Sequence, residues 1–412
     1  MPTRHNHPQR QFAAALVDKL RAAGFEAYWA GGCVRDELLG RPPKDYDIAT
    51  SAEPDQIRRL FGFSRTLAIG AAFGVITVLG PREAGQVEVT TFRRDASYSD
   101  GRHPDAVEFT SPEEDASRRD FTINGLFFDP VEERVIDFVG GQADLQLGLI
   151  RAIGRAEQRF AEDKLRMLRA VRFAATFQFT IEEATLDAIR RMADQIRVVS
   201  PERIAMEMRR MLVDPQRSHA VRLLLQTGLT PVVLPEIVPG ERLDRALAVI
   251  DRLNAPNFPL ALAALLAESG NASAPAEVGR RWRLSNKETE ITMWLIEHRD
   301  ALRGAAHKPW SAVQPVLAHE GAADLVALME AALRVGGDPL DDVDWCRRML
   351  ARPRAELDPP PLVTGDDLLR HGLRAGPIYR ELLEKLRDAQ LDGQVRTTKE
   401  ALTLVNELLR DV

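Results

Sequence analysis

Apolar residues Phe12, Leu16 and Leu20 recur at helical spacing in residues 11–23, which predicts a helix with one buried face. Residues 28–30 are short, aromatic and apolar, like a buried strand, and run straight into Gly31-Gly32 and a second helical pattern with Val34, Leu38 and Leu39 on one side. The order is strand, glycine turn, helix. Residues 44–50 alternate as a strand does, so Asp45 and Asp47, at i and i+2, project from one face. Pro54 opens another helix, with Ile57 and Leu60. Residues 75–79 and 87–92 are β-rich and flank a turn at 81–85, which predicts a hairpin. In its second arm Val87, Val89 and Thr91 alternate with Glu88, Thr90 and Phe92, and Glu88 stands among apolar neighbours. Residues 93–115 are polar and predict a long loop. Two further strands, 126–128 and 135–138, precede the turn at Gly140-Gly141. From about Leu149 to the end the pattern is helical, first over residues 160–177, with a helix start at Ser200-Pro201 and a proline-rich break at 352–361.

Chemistry-bearing residues gather at the predicted turns. A glycine pair opening a helix leaves N–H groups bare for an anion such as a phosphate, and Arg35 on the first turn adds a charge-assisted contact. Two carboxylates on one strand face repel unless a hard divalent cation joins them; Mg²⁺ takes one or two carboxylates, waters and phosphate oxygens. An isolated D-x-D is more often a pair of surface aspartates. The G-G-x-x-R-D element just upstream reverses that preference. Glu88 on a strand beside Asp47 would complete a cluster; taken singly it reads as a solvent-facing strand residue. Arg119, Asp120 and Asn124 offer a guanidinium fork and oxygen acceptors for phosphate and ribose, against the plainer reading of a capped helix start. Asp163 and Arg166 lie three apart, neighbours on one helix face, where a surface salt bridge is the ordinary reading. They also set an acceptor beside a donor, the complement of the pairing edge shared by cytosine and adenine and absent from uracil and guanine.

Composition sets the class of molecule. A chain of 412 residues exceeds one ordinary core and suggests two to four domains. Its 45% hydrophobic and 28% charged residues are those of a soluble globular protein. The best apolar run, residues 258–267, is about half the ~20 residues a membrane span needs. No apolar segment follows the basic opening residues, so no secretory signal is expected. Cys33 and Cys346, far apart, provide neither a disulfide framework nor a metal cluster, and a reducing cytoplasm is the expected home. A net charge of −6 speaks against a nucleic-acid partner, yet residues 151–222 are rich in arginine, a basic region inside an acidic whole.

Taken in order, GGCVRDELLGRPPKDYD, VEVTTFRRD, RRDFTIN, EDKLRMLRAVRF and the tail stretches LVTGDDLLRHGL and QLDGQVRTTKEAL resemble the class II tRNA nucleotidyltransferases. That family includes CCA-adding enzymes and bacterial poly(A) polymerases, within the polymerase β-like superfamily. The resemblance implies an α+β fold: a nucleotidyltransferase head with a small mixed sheet (1–150), then an all-α neck (151–225), body (226–355) and tRNA-binding tail (356–412). It implies that Asp45, Asp47 and Glu88 hold two Mg²⁺ ions, that Gly31, Gly32 and Arg35 hold the triphosphate, and that Arg119, Asp120 and Asn124 contact the nucleotide and its ribose. Asp163 and Arg166 would choose the base, supported by Arg169. The substrates would be CTP, ATP and the acceptor end of tRNA, in the cytoplasm and with no membrane. Residues 70–76, GAAFGVI, lack the basic, aromatic run of the poly(A) polymerases, and the DGRHP loop at 100–104 is mostly missing from enzymes that stop after CC. Full CCA addition is therefore expected, with A-addition, a poly(A) polymerase and a non-catalytic RNA-binding homologue as alternatives.

Overall fold

The computed structural model describes residues 7–95, 107–374, 376 and 378–409; the DGRHP loop lies outside them. The chain divides into two units, residues 1–235 and 236–412. The boundary falls ten residues inside the expected body, 226–355, so residues 226–235 belong to the first unit with the expected head and neck.

In the first unit, helix α1 (Pro8–Ala22) buries Ala13, Leu16, Val17 and Leu20 at helical spacing. Strand β1 (Ala27–Ala30) leads into α2 (Gly32–Leu38), whose buried residues are Cys33, Val34 and Arg35. Leu38, expected on the apolar side, is exposed, because the helix is short and turns its buried face with Val34 rather than with its last turn. Strand β2 (Asp47–Thr50) begins at the second aspartate, so Asp45 precedes it. Helix α3 (Pro54–Phe61) starts on a capping box between Glu53 and Gln56 and ends at Gly62. There follow β3 (Thr66–Gly70), which the apolar pattern did not announce, and the expected hairpin of β4 (Val75–Leu79) and β5 (Gln86–Thr91).

Residues 93–115 are not one loop. β6 (Arg93–Asp95) and β7 (Val107–Phe109) pair antiparallel, and α4 (Pro112–Ser117) follows, its start held by Ser111, whose hydroxyl accepts from the Glu114 N–H. Strands β8 (Phe127–Asp129) and β9 (Arg134–Ile136) complete a seven-stranded sheet in the order β3-β4-β5-β2-β1-β8-β9. Only β2 and β5 are parallel within it. One face, with Ile48, Ile76, Val78, Val87 and Val89, is buried beneath α1 and α3.

Beyond α5 (Gly141–Leu147) the unit is mostly helical, with α6 (Ala156–Glu162), α7 (Leu165–Phe177), α8 (Glu183–Met192), α9 (Pro201–Leu212) and α10 (Arg217–Gln226), and with one short parallel pair of strands, Leu149–Ile150 and Thr180–Ile181. The single helix expected over 160–177 is broken at Asp163, which is extended (φ −144°, ψ 105°) and closes α6. Its carboxylate accepts the Leu165 N–H, competing with the helical ladder and starting α7 afresh. Phe160, Leu165 and Leu168 stay buried across the break, which is why apolar periodicity alone runs through it.

The second unit is built from helices between Glu241–Arg252 and Thr398–Leu408. Its most apolar helix, Phe258–Leu266, is buried on nearly every side. Around residues 363–405 a separate cluster of Leu368, Leu382, Leu386, Ala401 and Val405 forms a small core of its own. Among the described residues no helix is long and apolar enough to cross a membrane.

Candidate active site

Parallel pairing sets Asp47 directly opposite Glu88. Paired residues share a face and adjacent strands lie ~4.8 Å apart, so both carboxylates stand side by side on the open side of the sheet. Just ahead, Tyr46 is buried; its hydroxyl donates to Glu37 Oε1 (2.6 Å) and its ring meets Trp29 edge-on. Asp45 on one side of it is exposed and Asp47 on the other is partly so, the alternation of an extended segment. Burial first, then Glu88 and Asp45, raise the Asp47 carboxyl to about 6, with Arg119 acting the other way. Arg119 offsets only part of the effect of burial and of the neighbouring acids.

Among the described residues no three His, Cys, Asp or Glu side chains converge closely enough to hold a metal ion by themselves. Asp47 and Glu88 form an open edge, with Asp45 beside it, rather than a closed cage. Such an edge, made of hard oxygen donors and short of positive charge, fits a divalent cation that completes its shell with water and phosphate oxygens.

The glycine turn has a structural reason that motif spacing did not disclose. Gly31 has φ +71°, and a Cβ there would come within 2.7 Å of Arg119 Nη1. The missing side chain makes room for a guanidinium. Beneath the turn Cys33 donates to the Ala30 carbonyl, and burial pushes its thiol up to about 12, so it is a packing residue.

Arg35 is buried. Its Nη1 donates to Asn124 Oδ1 (2.6 Å), its Nε to Asp36 (2.9 Å), and its guanidinium lies over the rings of Phe177 and Phe173. Asn124 in turn donates to Asp120 Oδ1 (3.0 Å), and Asp120 Oδ2 accepts from Arg169 Nε (2.8 Å). Burial alone would raise the Asp120 carboxyl, but Arg169, the Asn124 amide and Arg166 outweigh it and hold it well below the usual range. Arg119 donates to the Asn124 carbonyl and to Asp115. The predicted phosphate and ribose residues are thus one bonded network.

The Arg166 N–H donates to the Asp163 carbonyl, but the two side chains do not pair with each other. Asp163 receives a two-pronged contact from Arg203 (3.1 and 2.7 Å), while Arg166 donates to Glu162 and to the carbonyls of Arg159 and Arg118. Both nevertheless line an open cleft of about 650 Å³ together with Gly31, Gly32, Arg35, Asp47, Arg119, Asp120, Asn124 and Arg169. Seven arginines and four acids line it, a local excess of positive charge in an acidic chain.

Three site residues were not singled out from the sequence. Asp115, fully buried, grips Arg118 and Arg119; its position four residues before Arg119, after the capping Ser111, was the available signal. Arg203 entered only as one basic residue among many. Glu207 is a buried carboxylate paired with Arg172, and its place on the apolar side of an amphipathic helix could have marked it.

Family models of the "Poly A polymerase head domain" and of the "Probable RNA and SrmB- binding site of polymerase A" match residues 27–151 and 178–240. The chain is 36% identical over 409 residues to the CCA-adding enzyme of Lactobacillus johnsonii, covering 97% of this chain and 98% of that one. It is also 36% identical to that of Geobacillus thermodenitrificans over 405 residues, 96% of each. The solved structure of the Bacillus stearothermophilus CCA-adding enzyme in complex with CTP superimposes with a TM-score of 0.81 at 31% identity, covering 98% of both chains. Nucleotidyltransferases of this kind generally use a divalent metal. A shared head, a matching length and a common architecture place the chain in the CCA-adding enzyme family of tRNA nucleotidyltransferases.

Proposed function

We infer that this protein adds CCA to the 3′ end of tRNA without a nucleic-acid template, using CTP and ATP. The observation that carries the reading is the arginine-lined cleft ending on the Asp47–Glu88 edge. A polyanionic nucleotide fits the arginines, and Asp47, which lines the cleft, stands beside Glu88, where a metal ion would meet its phosphates.

In the reaction the RNA 3′-hydroxyl attacks the α-phosphorus, a phosphodiester forms, and the bond to the β-phosphate breaks. Pyrophosphate leaves with the bonding electrons, and the hydroxyl proton passes to solvent. Asp47 and Glu88, with Asp45, would hold Mg²⁺, which when bound supplies the charge neutralisation that two-metal phosphoryl chemistry needs. Gly31, Gly32, Arg35 and Arg119 orient the triphosphate, and Asp120 and Asn124 border the ribose. Asp163 and Arg166 read the base, held apart by Arg203 and Glu162 so that each presents its remaining hydrogen-bonding capacity to the cleft. Arg169 braces Asp120 beneath them. Residues 1–150 supply the chemistry, 151–225 base selection, 226–355 a helical body and 356–412 the grip on tRNA, in the reducing cytoplasm.

The test is to offer tRNAs lacking three, two or one of the terminal nucleotides to the purified protein with CTP or ATP separately. Incorporation of C, C and then A is expected. Incorporation of A alone, only onto RNA already ending in CC, would make the protein an A-adding enzyme, and indifference to the RNA would make it a poly(A) polymerase.

A further inference from the structure

Of the three acids, Asp47 and Glu88 are held in register by the parallel pairing of β2 with β5, while Asp45 stands two residues ahead of that pairing. The residue between Asp45 and the strand is then what fixes it. Tyr46 is 3% exposed, and its ring packs edge-on against Trp29 with centroids 5.0 Å apart. Ile48, two residues further on and opposite Trp29 in β1, is fully buried. Tyr46 and Ile48 thus mark the covered face of the segment, and the two aspartates the open one. A tyrosine buried so far has one polar atom to satisfy, and its hydroxyl donates to Glu37 Oε1 at 2.6 Å.

Glu37 sits on α2, the helix that the glycine turn opens, two residues beyond Arg35. The same carboxylate oxygen accepts from Arg10 Nε at 2.9 Å, and the Arg10 guanidinium lies over the Trp29 ring, 4.8 Å from its centroid. Three elements meet at this oxygen: α1 through Arg10, α2 through Glu37, and the segment ahead of β2 through Tyr46. Packing alone would not need the hydroxyl, since phenylalanine fills the same space. A short bond to an ionised carboxylate that is itself held by an arginine fixes the ring, and with it the main chain on either side. That main chain carries Asp45 and Asp47, which repel each other and would otherwise splay the unpaired end of the segment.

We propose that Glu37 is a positioning residue for nucleotidyl transfer: through the Tyr46 hydroxyl it holds Asp45 at the Asp47–Glu88 edge, so that the three acids take up a divalent cation together. This deepens the nucleotidyltransferase reading and rests on it. The helix that offers the glycine turn to the triphosphate also braces the acids that face the phosphates, and the two parts of the site keep one spacing. Groups that orient metal-binding side chains from outside act on metal affinity in this way.

The experiment uses the full chain and the variants Tyr46→Phe, Glu37→Ala, Glu37→Gln and Tyr46→Phe/Glu37→Ala. Losing a partner that orients a metal ligand costs about 10–100-fold in metal affinity, and the lower end applies to a bond one residue away from the acids. Tyr46→Phe and Glu37→Ala should each raise the Mg²⁺ concentration for half-maximal CTP incorporation about tenfold, with kcat at excess Mg²⁺ close to wild type. The double variant should be no worse than the poorer single one, because both remove the same bond. Glu37→Gln, which keeps an acceptor for the hydroxyl, should restore most of the wild-type response. The direct readout is Mn²⁺ alone titrated into each protein, with free Mn²⁺ followed by electron paramagnetic resonance and Asp47→Ala as the blank. Binding should weaken about tenfold in Tyr46→Phe and in Glu37→Ala. Unchanged Mg²⁺ and Mn²⁺ responses in both single variants would overturn the role. So would losses that follow a fall in Tm and that excess metal does not recover, which would leave Glu37 a packing residue. Weakened Mn²⁺ binding in the variants of a protein whose wild type extends no tRNA would instead count against the activity while leaving the brace in place.

Discussion

Replacing Asp115 by Asn tests whether a carboxylate outside the cleft lining keeps the cleft in order. Asp115 is 1% exposed, and its oxygens accept from Nε and Nη2 of Arg118 (2.9 and 2.7 Å) and of Arg119 (3.2 and 2.9 Å). Asparagine keeps the shape and one acceptor but removes the charge and turns an N–H₂ toward a guanidinium. Breaking a buried ion pair costs ~3–5 kcal/mol. Because the two arginine side chains keep 18% and 19% of their exposure and can rehydrate, the lower end, ~3 kcal/mol, is expected here. In a unit of this size that is a fall in Tm of roughly 6–12 °C. Burial pulls the Asp115 carboxyl up, but Arg119 and Arg118 outweigh it and hold it low. A carboxylate depressed by folding stabilises fully above its unfolded pKa of ~3.9 and ceases to as pH falls through its lower folded value. The Tm gap between wild type and Asp115→Asn should therefore be full at neutral pH and shrink below about pH 4. Calorimetry of the full chain across pH gives this directly. In parallel the KM for CTP should rise, since Arg119 loses the anchor that aims it across Gly31. A gap under ~1 °C, or one independent of pH, would refute the reasoning.

Asp47→Ala should abolish nucleotide incorporation, by ~10³-fold or more, while filter binding of tRNA stays near wild type; persistent turnover would remove the carboxylate edge from the chemistry. Gly31→Ala places a methyl 2.7 Å from Arg119 Nη1 at φ +71°. A cost of about 1–2 kcal/mol in stability and a raised KM for CTP are expected, both readable by melting and steady-state kinetics. Asp163→Ala should lower discrimination against UTP and GTP by roughly tenfold or more, measured in competition assays, because the acceptor that meets the exocyclic amine is gone. Undiminished selectivity would return Asp163 to a plain ion-pair role with Arg203.

Local pattern announced the elements that carry the site but not their assembly. The alternation around Glu88 places it opposite Val87 and Val89, yet its parallel pairing with Asp47 is a long-range fact that no local window contains. β6 and β7 are three residues each, too short for a period of two to rise above the polar composition around them. Asp115 was hidden in that same stretch. At Asp163 the opposite happened: apolar spacing was preserved while the backbone broke, so an i, i+3 pair on one helix became two residues with different partners. β3 escaped because its apolar side chains face water rather than the core.

The lone parallel neighbour in the sheet has a genetic consequence. Which way an acid points is decided by main-chain pairing with a repeat of two, so inserting or deleting one residue inside Gln86–Thr91 would rotate Glu88 into the hydrophobic layer and a valine out of it. Length changes confined to the turn at 81–85 leave that parity intact. Descendants of this gene should accumulate indels in the turn and almost none in the strand, even where the encoded amino acids themselves drift.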